Sequence, residues 1–222
     1  MTTQTELQFF GFWAESLEPL FKQYGTRKHP LDYQNRYQLV VMVILSAQDS
    51  DKHINELAES FFATYPTMES LSRATVEDLH QKLGSVRNFG NKSKWLMAIA
   101  QEVKNDAHIP TTLEELTKLP GIGRKSANVI IRESGGKAEG IIVDLHVVRV
   151  APRIGIASGT NPEKIEKQLM QTVSQERWNE AGMAISFLGR EICRPSNPKC
   201  NLCVMREVCA YYKDIEANIK QK

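Results

Sequence analysis

Four cysteines near the C-terminus are the feature that most limits what this chain can fold into. The sequence holds 4 cysteines in all, and they follow one another as C-x6-C-x2-C-x5-C. A disulfide framework spread through the fold is therefore excluded, whereas loops this short let four thiolates converge on one metal centre. We predict a metal site formed by Cys193, Cys200, Cys203 and Cys209.

Zinc and a [4Fe–4S] cluster both accept four thiolates. Structural zinc sites usually take two close C-x2-C pairs, but this segment has a single such pair, Cys200 with Cys203. The longer spacings on either side favour the larger iron–sulfur cubane. The alternative, four unrelated buried cysteines, is disfavoured by their clustering.

Composition excludes several other classes of protein. With 222 residues, 41% of them hydrophobic and 24% charged, the chain suits one large soluble domain or two small ones. Its longest apolar run, 39–45, is far shorter than the about 20 residues of a membrane span. The N-terminus has no basic region ahead of an apolar stretch, so we expect no secretory signal and a protein that stays in the cytoplasm, or in the nucleoid if it binds DNA.

Helical periodicity dominates the chain. Apolar residues recur every three or four positions in 54–62, 95–103 and 163–173, and a shorter helix follows the capping residue Thr112. Asn161-Pro162 supplies a cap and an N1 proline for the third of these helices.

Two β-branched stretches, 129–131 and 141–143, have the composition of strands. An isolated hairpin is only marginally stable, and the sequence offers no third strand. We therefore predict a buried helix over 125–133 and an extended lead-in to another helix over 141–143.

The segment L-P-G-I-G-R-K-S-A at 119–127 connects two predicted helices. Gly121 and Gly123 permit backbone angles closed to other residues and leave the amides at the next helix start bare for a phosphate, beside Arg124. The side chain of Ile122 is expected to pack into the core and so anchor the turn. A helix-hairpin-helix grips the DNA backbone in this way, without reading sequence. A plain glycine turn is the alternative, which the full string disfavours.

Lys125 and Asp144, which both follow this turn in the sequence, each have a chemical and a structural interpretation. Lys125 lies in the first turn of a helix, where the positive end of the dipole favours a neutral, nucleophilic amine, but it can equally contact phosphate. Asp144 is expected to cap the next helix and to serve as a carboxylate that stabilises positive charge or moves a proton. The two roles of Asp144 are compatible.

Other charged residues give weaker signals. Basic side chains outnumber acidic ones by four to one in two segments, residues 84–104, which include Lys92, and residues 190–206, which include Arg194. Although the net charge is only +2, we therefore expect part of the surface to be basic. His146 is interpreted as a structural residue. We assign no role to the remaining histidines, because their spacing suggests no partner: His29, His53, His80 and His108.

The hairpin string, the later V-D-L-H-V-V-R-V and the four cysteines, in this order, closely resemble the endonuclease III family of DNA glycosylases. The likeness runs from about Val43 to Cys209. It includes L-S-A-Q at 45–48, similar to a family turn whose glutamine, here Gln48, enters the space vacated by a flipped base.

The resemblance implies an all-α protein of two lobes with a DNA groove between them, acting as a monomer. Residues 29–140 would form a helical barrel with the helix-hairpin-helix at about 113–133. Residues 1–28 and 141–222 would form the second lobe, with the [4Fe–4S] cluster. Its partner would be double-stranded DNA containing damaged bases or abasic sites, with no membrane involved.

The resemblance also implies residue roles. Lys125 would attack the sugar C1′, and Asp144 would assist departure of the base. Family members that rely on water alone lack this lysine, so the prediction is a bifunctional glycosylase and AP lyase for damaged pyrimidines, acting on a flipped-out nucleotide. Two alternatives stay open: a monofunctional glycosylase with an altered lesion range, in which Lys125 only touches phosphate, and a non-catalytic DNA-binding module.

Several positions depart from the family pattern. Asn88 takes the place of a leucine that wedges into the strand opposite the lesion. Asp49-Ser50 replaces the usual Ala-Thr after the glutamine, and Leu145 replaces a threonine after Asp144. These changes fall at expected DNA contacts, so a specialised lesion range or opposite-base preference is predicted. Arg194, between the first two cysteines, is expected to meet a phosphate.

Overall fold

The described part of the chain, residues 11–220 of a computed structural model, is helical and contains no strand. The N-terminal stretch considered above for a secretory signal lies outside these residues. From Glu18 onward the α-helices are α1 (Glu18–Tyr24), α2 (Arg36–Ser46), α3 (Asp51–Thr64), α4 (Met68–Ser72), α5 (Val76–Leu83), α6 (Phe89–Val103), α7 (Leu113–Leu116), α8 (Arg124–Glu133), α9 (Leu145–Ile154), α10 (Pro162–Thr172), α11 (Trp178–Glu191) and α12 (Ala210–Lys220).

The all-α prediction is confirmed, including its two ambiguous stretches. Val129, Ile130 and Ile131 lie in α8 and are buried. Residues 141–143 are extended and lead into α9. Without a neighbouring strand to pair with, burial in a helical core decides the conformation of these β-branched residues more strongly than propensity does.

Side-chain caps explain where many helices begin. The Thr112 hydroxyl accepts a hydrogen bond from the Glu115 amide at the start of α7. The Asn161 side chain accepts one from Lys164, with Pro162 at the first helical position of α10. Both caps were predicted from sequence and are confirmed. Ser50 caps α3 in the same manner through the His53 amide.

The chain divides into two compact units, Lys28–Glu139 and Met1–Arg27 with Gly140–Lys222. Each boundary falls one residue before the division expected from the resemblance. In the unit 28–139, α2 is buried along nearly its whole length, from Tyr37 to Leu45, and packs against α3, α6 and α8. α8, which follows the glycine turn, and α6, which follows Asn88, therefore both pack on this buried apolar helix.

In the other unit, α11 is the central helix and packs against α1 and α9. Its residues 181–189 are buried. A side chain at Gly182 would place its Cβ 2.3 Å from the Ile142 carbonyl oxygen, so only glycine lets α11 approach the extended segment before α9 this closely. None of the helices within residues 11–220 combines the length and the apolar character that crossing a membrane requires.

Candidate functional site

The glycine turn between α7 and α8 is shaped by one obligatory glycine. Gly121 has a φ of +79°, and a Cβ there would lie 2.5 Å from Cε3 of the Trp95 ring. Ile122 is buried, as predicted. Gly123 differs, because its φ of −84° and ψ of 172° are extended angles that any residue adopts. The prediction that both glycines need unusual angles is therefore right for Gly121 and wrong for Gly123.

Gly123 has another property that suits an anion site. It occupies the N-cap of α8, makes no side-chain cap, and a Cβ built on it would meet nothing within 4 Å. The start of α8 is thus open, with Arg124 and Lys125 exposed in its first turn. Unobstructed amides at the positive end of a helix form a ready site for a phosphate group. The predicted position of Lys125 in the first helical turn is confirmed.

Asp144 is held at the N-cap of α9 by hydrogen bonds to both carboxylate oxygens. Oδ1 accepts from the His146 amide at 2.8 Å and from the Val147 amide at 2.9 Å. Oδ2 accepts from the Ser186 hydroxyl at 2.6 Å and lies 4.0 Å from Nη2 of Arg190. The predicted cap is confirmed, and the side chain is 14% exposed. The carboxylate therefore has a fixed orientation.

Sequence reasoning missed Ser186 as the partner of Asp144. Ser186 lies on α11 between Gly182 and Gly189, at helical spacings of four and three, so the three small residues share one face. A Cβ at Gly189 would lie 2.8 Å from Cβ of His146 on α9. This stripe of small residues at helical spacing is the sequence signal for a close helix contact at Asp144.

Gln48 and Asn88 are exposed and share an uncommon backbone conformation. Their φ angles are 61° and 59°, in the left-handed region. Lys92 lies between the loops that carry them. Its Nζ donates to the Leu45 carbonyl at 2.8 Å and to the Ala47 carbonyl at 2.7 Å.

The prediction that Lys92 contributes to a basic face is wrong. The side chain is buried, and burial lowers its pKa. Lys92 therefore ties two segments of the fold together instead of adding charge to a surface. No local pattern predicts this contact, because the carbonyls that Lys92 binds lie more than forty positions away.

Asp49 joins the same two loops from another side. Its Oδ2 accepts from the Arg87 amide at 2.9 Å, and its Oδ1 accepts from the Ser50 amide and lies 2.8 Å from Nδ1 of His53. Nε2 of His53 lies 3.1 Å from the Ser85 hydroxyl. The interpretation that His53 has no partner is wrong. The i,i+4 spacing of Asp49 and His53 was the available signal.

The four cysteines line one recess at the C-terminal end, together with Arg206 and Tyr211. Cys193 and Cys209 are buried, and Cys200 and Cys203 are half-buried. Burial and the neighbouring thiols raise the pKa of Cys203 to about 11. Within residues 11–220, no three His, Cys, Asp or Glu side chains are arranged to hold a metal ion.

Arg153 of α9 organises the segment between the first two cysteines. Its Nη1 donates to the Arg194 carbonyl at 2.7 Å and lies 3.6 Å from Sγ of Cys193, and its Nη2 donates to the Pro195 carbonyl at 2.9 Å. The Arg194 side chain is exposed. Sequence reasoning missed Arg153, because no local pattern links it to a loop some forty residues later.

An all-α fold with an open glycine hairpin, a capping aspartate and clustered cysteines defines a helix-hairpin-helix protein. The family model described as "HhH-GPD superfamily base excision DNA repair protein" matches residues 41–175. Endonuclease III of Synechocystis sp. is 34% identical over 198 residues, covering 88% of this chain and 90% of that protein. Endonuclease III of Rickettsia prowazekii is 38% identical over 184 residues, covering 82% and 86%.

A solved structure gives the same result. A trapped endonuclease III–DNA covalent intermediate, in an estranged-adenine complex, aligns with a TM-score of 0.84 at 28% identity, covering 93% of this chain and 98% of that one. The chain belongs to the endonuclease III family of the HhH-GPD superfamily of base excision DNA repair proteins. The family prediction is confirmed.

Proposed function

We propose that this protein is a base excision repair enzyme that removes damaged pyrimidines from duplex DNA and then cuts the strand at the abasic site. The observation that carries the proposal is an exposed lysine, Lys125, in the first turn after the open glycine of the hairpin, in a chain of this family. A structural neighbour was trapped as a covalent intermediate with DNA, the state that a nucleophilic side chain produces.

Lys125 is the nucleophile in this proposal. Its neutral amine attacks C1′ of the flipped nucleotide, the glycosidic bond breaks, and the base leaves with the bonding electrons and takes up a proton. The attached nitrogen then loses one proton, and the C1′–O4′ bond breaks with O4′ taking up a proton, which gives a protonated C1′ Schiff base. Removal of a C2′ proton then expels the 3′ phosphate by β-elimination. The positive end of the α8 dipole destabilises an ammonium at this position and so favours the reactive form.

Asp144 stabilises the positive charge that develops on the sugar and relays protons in the later steps. Two amides and the Ser186 hydroxyl fix both oxygens before DNA binds. Preorganised groups of this kind lower a barrier because they need not reorient during the reaction.

DNA binding is assigned to exposed groups on the described surface. The amides around Gly121 and Gly123, with Arg124, bind backbone phosphate, and Arg194 binds another. Gln48 fills the space left by the flipped nucleotide. Asn88 enters the duplex beside the base opposite the lesion, where its amide can hydrogen-bond with that base instead of wedging as an apolar side chain does.

The four cysteines are assigned to a [4Fe–4S] cluster. All four line the same recess, and the guanidinium of Arg153 beside Cys193 offsets thiolate charge. The chemistry of the donor set therefore fits a cluster, although the side chains that the structure describes are not arranged around a common ion. A bound cluster would supply a rigid crosslink for the loop that carries Arg194. Iron, sulfide and zinc analysis of anaerobically purified protein tests this assignment. Iron and sulfide near four per chain are expected, and zinc in their place would refute the cluster.

The activity is tested on a duplex with one oxidised pyrimidine, with base release and strand cutting measured separately. We expect both products from the wild-type protein and neither from Lys125→Gln, with DNA affinity preserved. Lys82→Gln, at an exposed position of α5, is the matched control and should behave as wild type. Base release without strand cutting by the wild type would instead indicate a monofunctional glycosylase.

A further inference from the structure

In the unit 28–139, the segments that carry Gln48 and Asn88 are hydrogen-bonded to each other, and each contains a residue with an unusual backbone conformation. Gln48 follows the C-terminus of α2, and Asn88 precedes the first residue of α6. Neither is glycine, yet both are left-handed, with φ of 61° and 59°. Such conformations persist where the surrounding structure determines them, and they concentrate at functional positions.

Hydrogen bonds accepted by the Asp49 carboxylate explain how the two conformations are held together. Through Oδ2 the carboxylate binds the amide of Arg87, the residue before Asn88. Through Oδ1 it binds the amide of Ser50, two residues after Gln48. One side chain adjacent to Gln48 therefore fixes the backbone next to Asn88. The side chain of Asp49 is 12% exposed, so these bonds are largely shielded from water.

His53 completes the connection. Nδ1 lies 2.8 Å from Asp49 Oδ1, and Nε2 lies 3.1 Å from the hydroxyl of Ser85, at the start of the Asn88 loop. A carboxylate only accepts hydrogen bonds, so Nδ1 carries the proton and the imidazole holds Asp49 in its orientation. The loop is thus bound at Arg87 by Asp49 and at Ser85 by His53.

We propose that Asp49 and His53 are positioning residues that set the geometry of Gln48 and Asn88 for entry into the duplex. The inference rests on the proposed function, which assigns Gln48 and Asn88 to DNA. Asp49 and Asn88 both depart from the family pattern, and the hydrogen bond from the Arg87 amide to Asp49 links the segments that carry them. A polar residue at 88 needs a defined direction to hydrogen-bond with an opposite base, and Asp49 supplies it.

The consequence is specific to substrates that keep a base. Extruding a stacked base is costly, and groups already placed to replace it lower that cost. An abasic site has no base to unstack and depends less on the two loops. Loss of Asp49 should therefore slow excision of a damaged base more than cutting at a preformed abasic site.

The test is a double-mutant cycle on kcat/KM with these two substrates. Asp49→Ala should lower kcat/KM about tenfold on the damaged-base duplex and less than about threefold on the abasic duplex, since small misplacements of positioning groups cost on this scale. In a Gln48→Ala/Asn88→Ala background, Asp49→Ala should cause no further loss. His53→Gln, a milder change at a partly exposed side chain, should reproduce the substrate bias.

The control is Glu56→Ala, an exposed acid of α3 paired with Lys52, which should match wild type. Equal losses on both substrates, or an undiminished effect of Asp49→Ala in the doubly substituted background, would overturn the inference and leave the enzyme assignment standing. A wild-type protein inactive on both substrates would overturn the proposed function, and the inference with it.

Discussion

The hydroxyl of Ser186 donates to Oδ2 of Asp144 at 2.6 Å, across the contact between α11 and α9. Ser186 is buried, and on the same face of α11 Gly189 lets this helix approach α9, while Gly182 lets it approach Ile142 in the segment before α9. The hydroxyl therefore holds the oxygen of Asp144 that the cap amides leave unbound.

Replacing Ser186 with alanine should lower base excision by about tenfold, because losing a hydrogen bond to a charged group costs on the order of 1.5 kcal/mol. Single-turnover excision on a damaged-base duplex measures it. Ser60→Ala, which removes a hydroxyl bonded only to a carbonyl of its own helix, is the control. An unchanged rate in Ser186→Ala would show that the orientation of Oδ2 does not matter.

Asp144→Asn should separate the structural role of this residue from its chemical one. Asparagine caps a helix about as well as aspartate, so thermal stability and DNA affinity should hold. The carboxylate is lost, and excision should fall by roughly a hundredfold or more, the scale of acid–base and electrostatic contributions. A large drop in melting temperature with the rate loss would instead point to a folding defect.

The two glycines of the hairpin should respond differently to alanine. Gly121→Ala forces a side chain into a positive φ and against Trp95, so it should cost on the order of 2 kcal/mol or more of unfolding free energy. Gly123→Ala meets no neighbour and should cost less, about 0.5–1 kcal/mol, because an N-cap prefers glycine to alanine. Its Cβ should nevertheless weaken DNA binding by crowding the phosphate site. Denaturant unfolding and DNA titration of both variants measure the contrast.

Asp49 should make stability depend on pH in acid. Burial opposes ionisation, but hydrogen bonds from the Arg87 amide, His53 and the Ser50 amide together lower the pKa of Asp49 from 3.8 to about 2. The ionised carboxylate thus stabilises the folded protein above about pH 4, and that contribution is lost as pH falls toward 2.

Asp49→Asn should therefore be less stable than wild type near pH 6, and the difference should shrink at pH 3. Urea unfolding at the two pH values compares the proteins. A difference independent of pH would show that the Asp49 charge contributes nothing to folding.

The helices and the Asp144 cap were predictable because both depend on near neighbours. A cap reaches two or three residues along the chain, and an apolar stripe repeats within one helix. The burial of Lys92 and the contact of Ser186 with Asp144 depend on residues brought together only by the fold, and no local pattern encodes them. Gly123 shows that a glycine in a turn does not always serve through unusual backbone angles. At this position the useful property is the missing side chain.

Borohydride trapping determines whether Lys125 is the nucleophile. Borohydride reduces a Schiff base to a stable protein–DNA crosslink, here on a duplex carrying one abasic site. The wild type and Lys82→Gln should form the crosslink, and Lys125→Gln should not, while still binding the duplex. A crosslink of undiminished yield in Lys125→Gln would contradict the assignment, and no crosslink in the wild type despite binding would return Lys125 to a phosphate-contacting role.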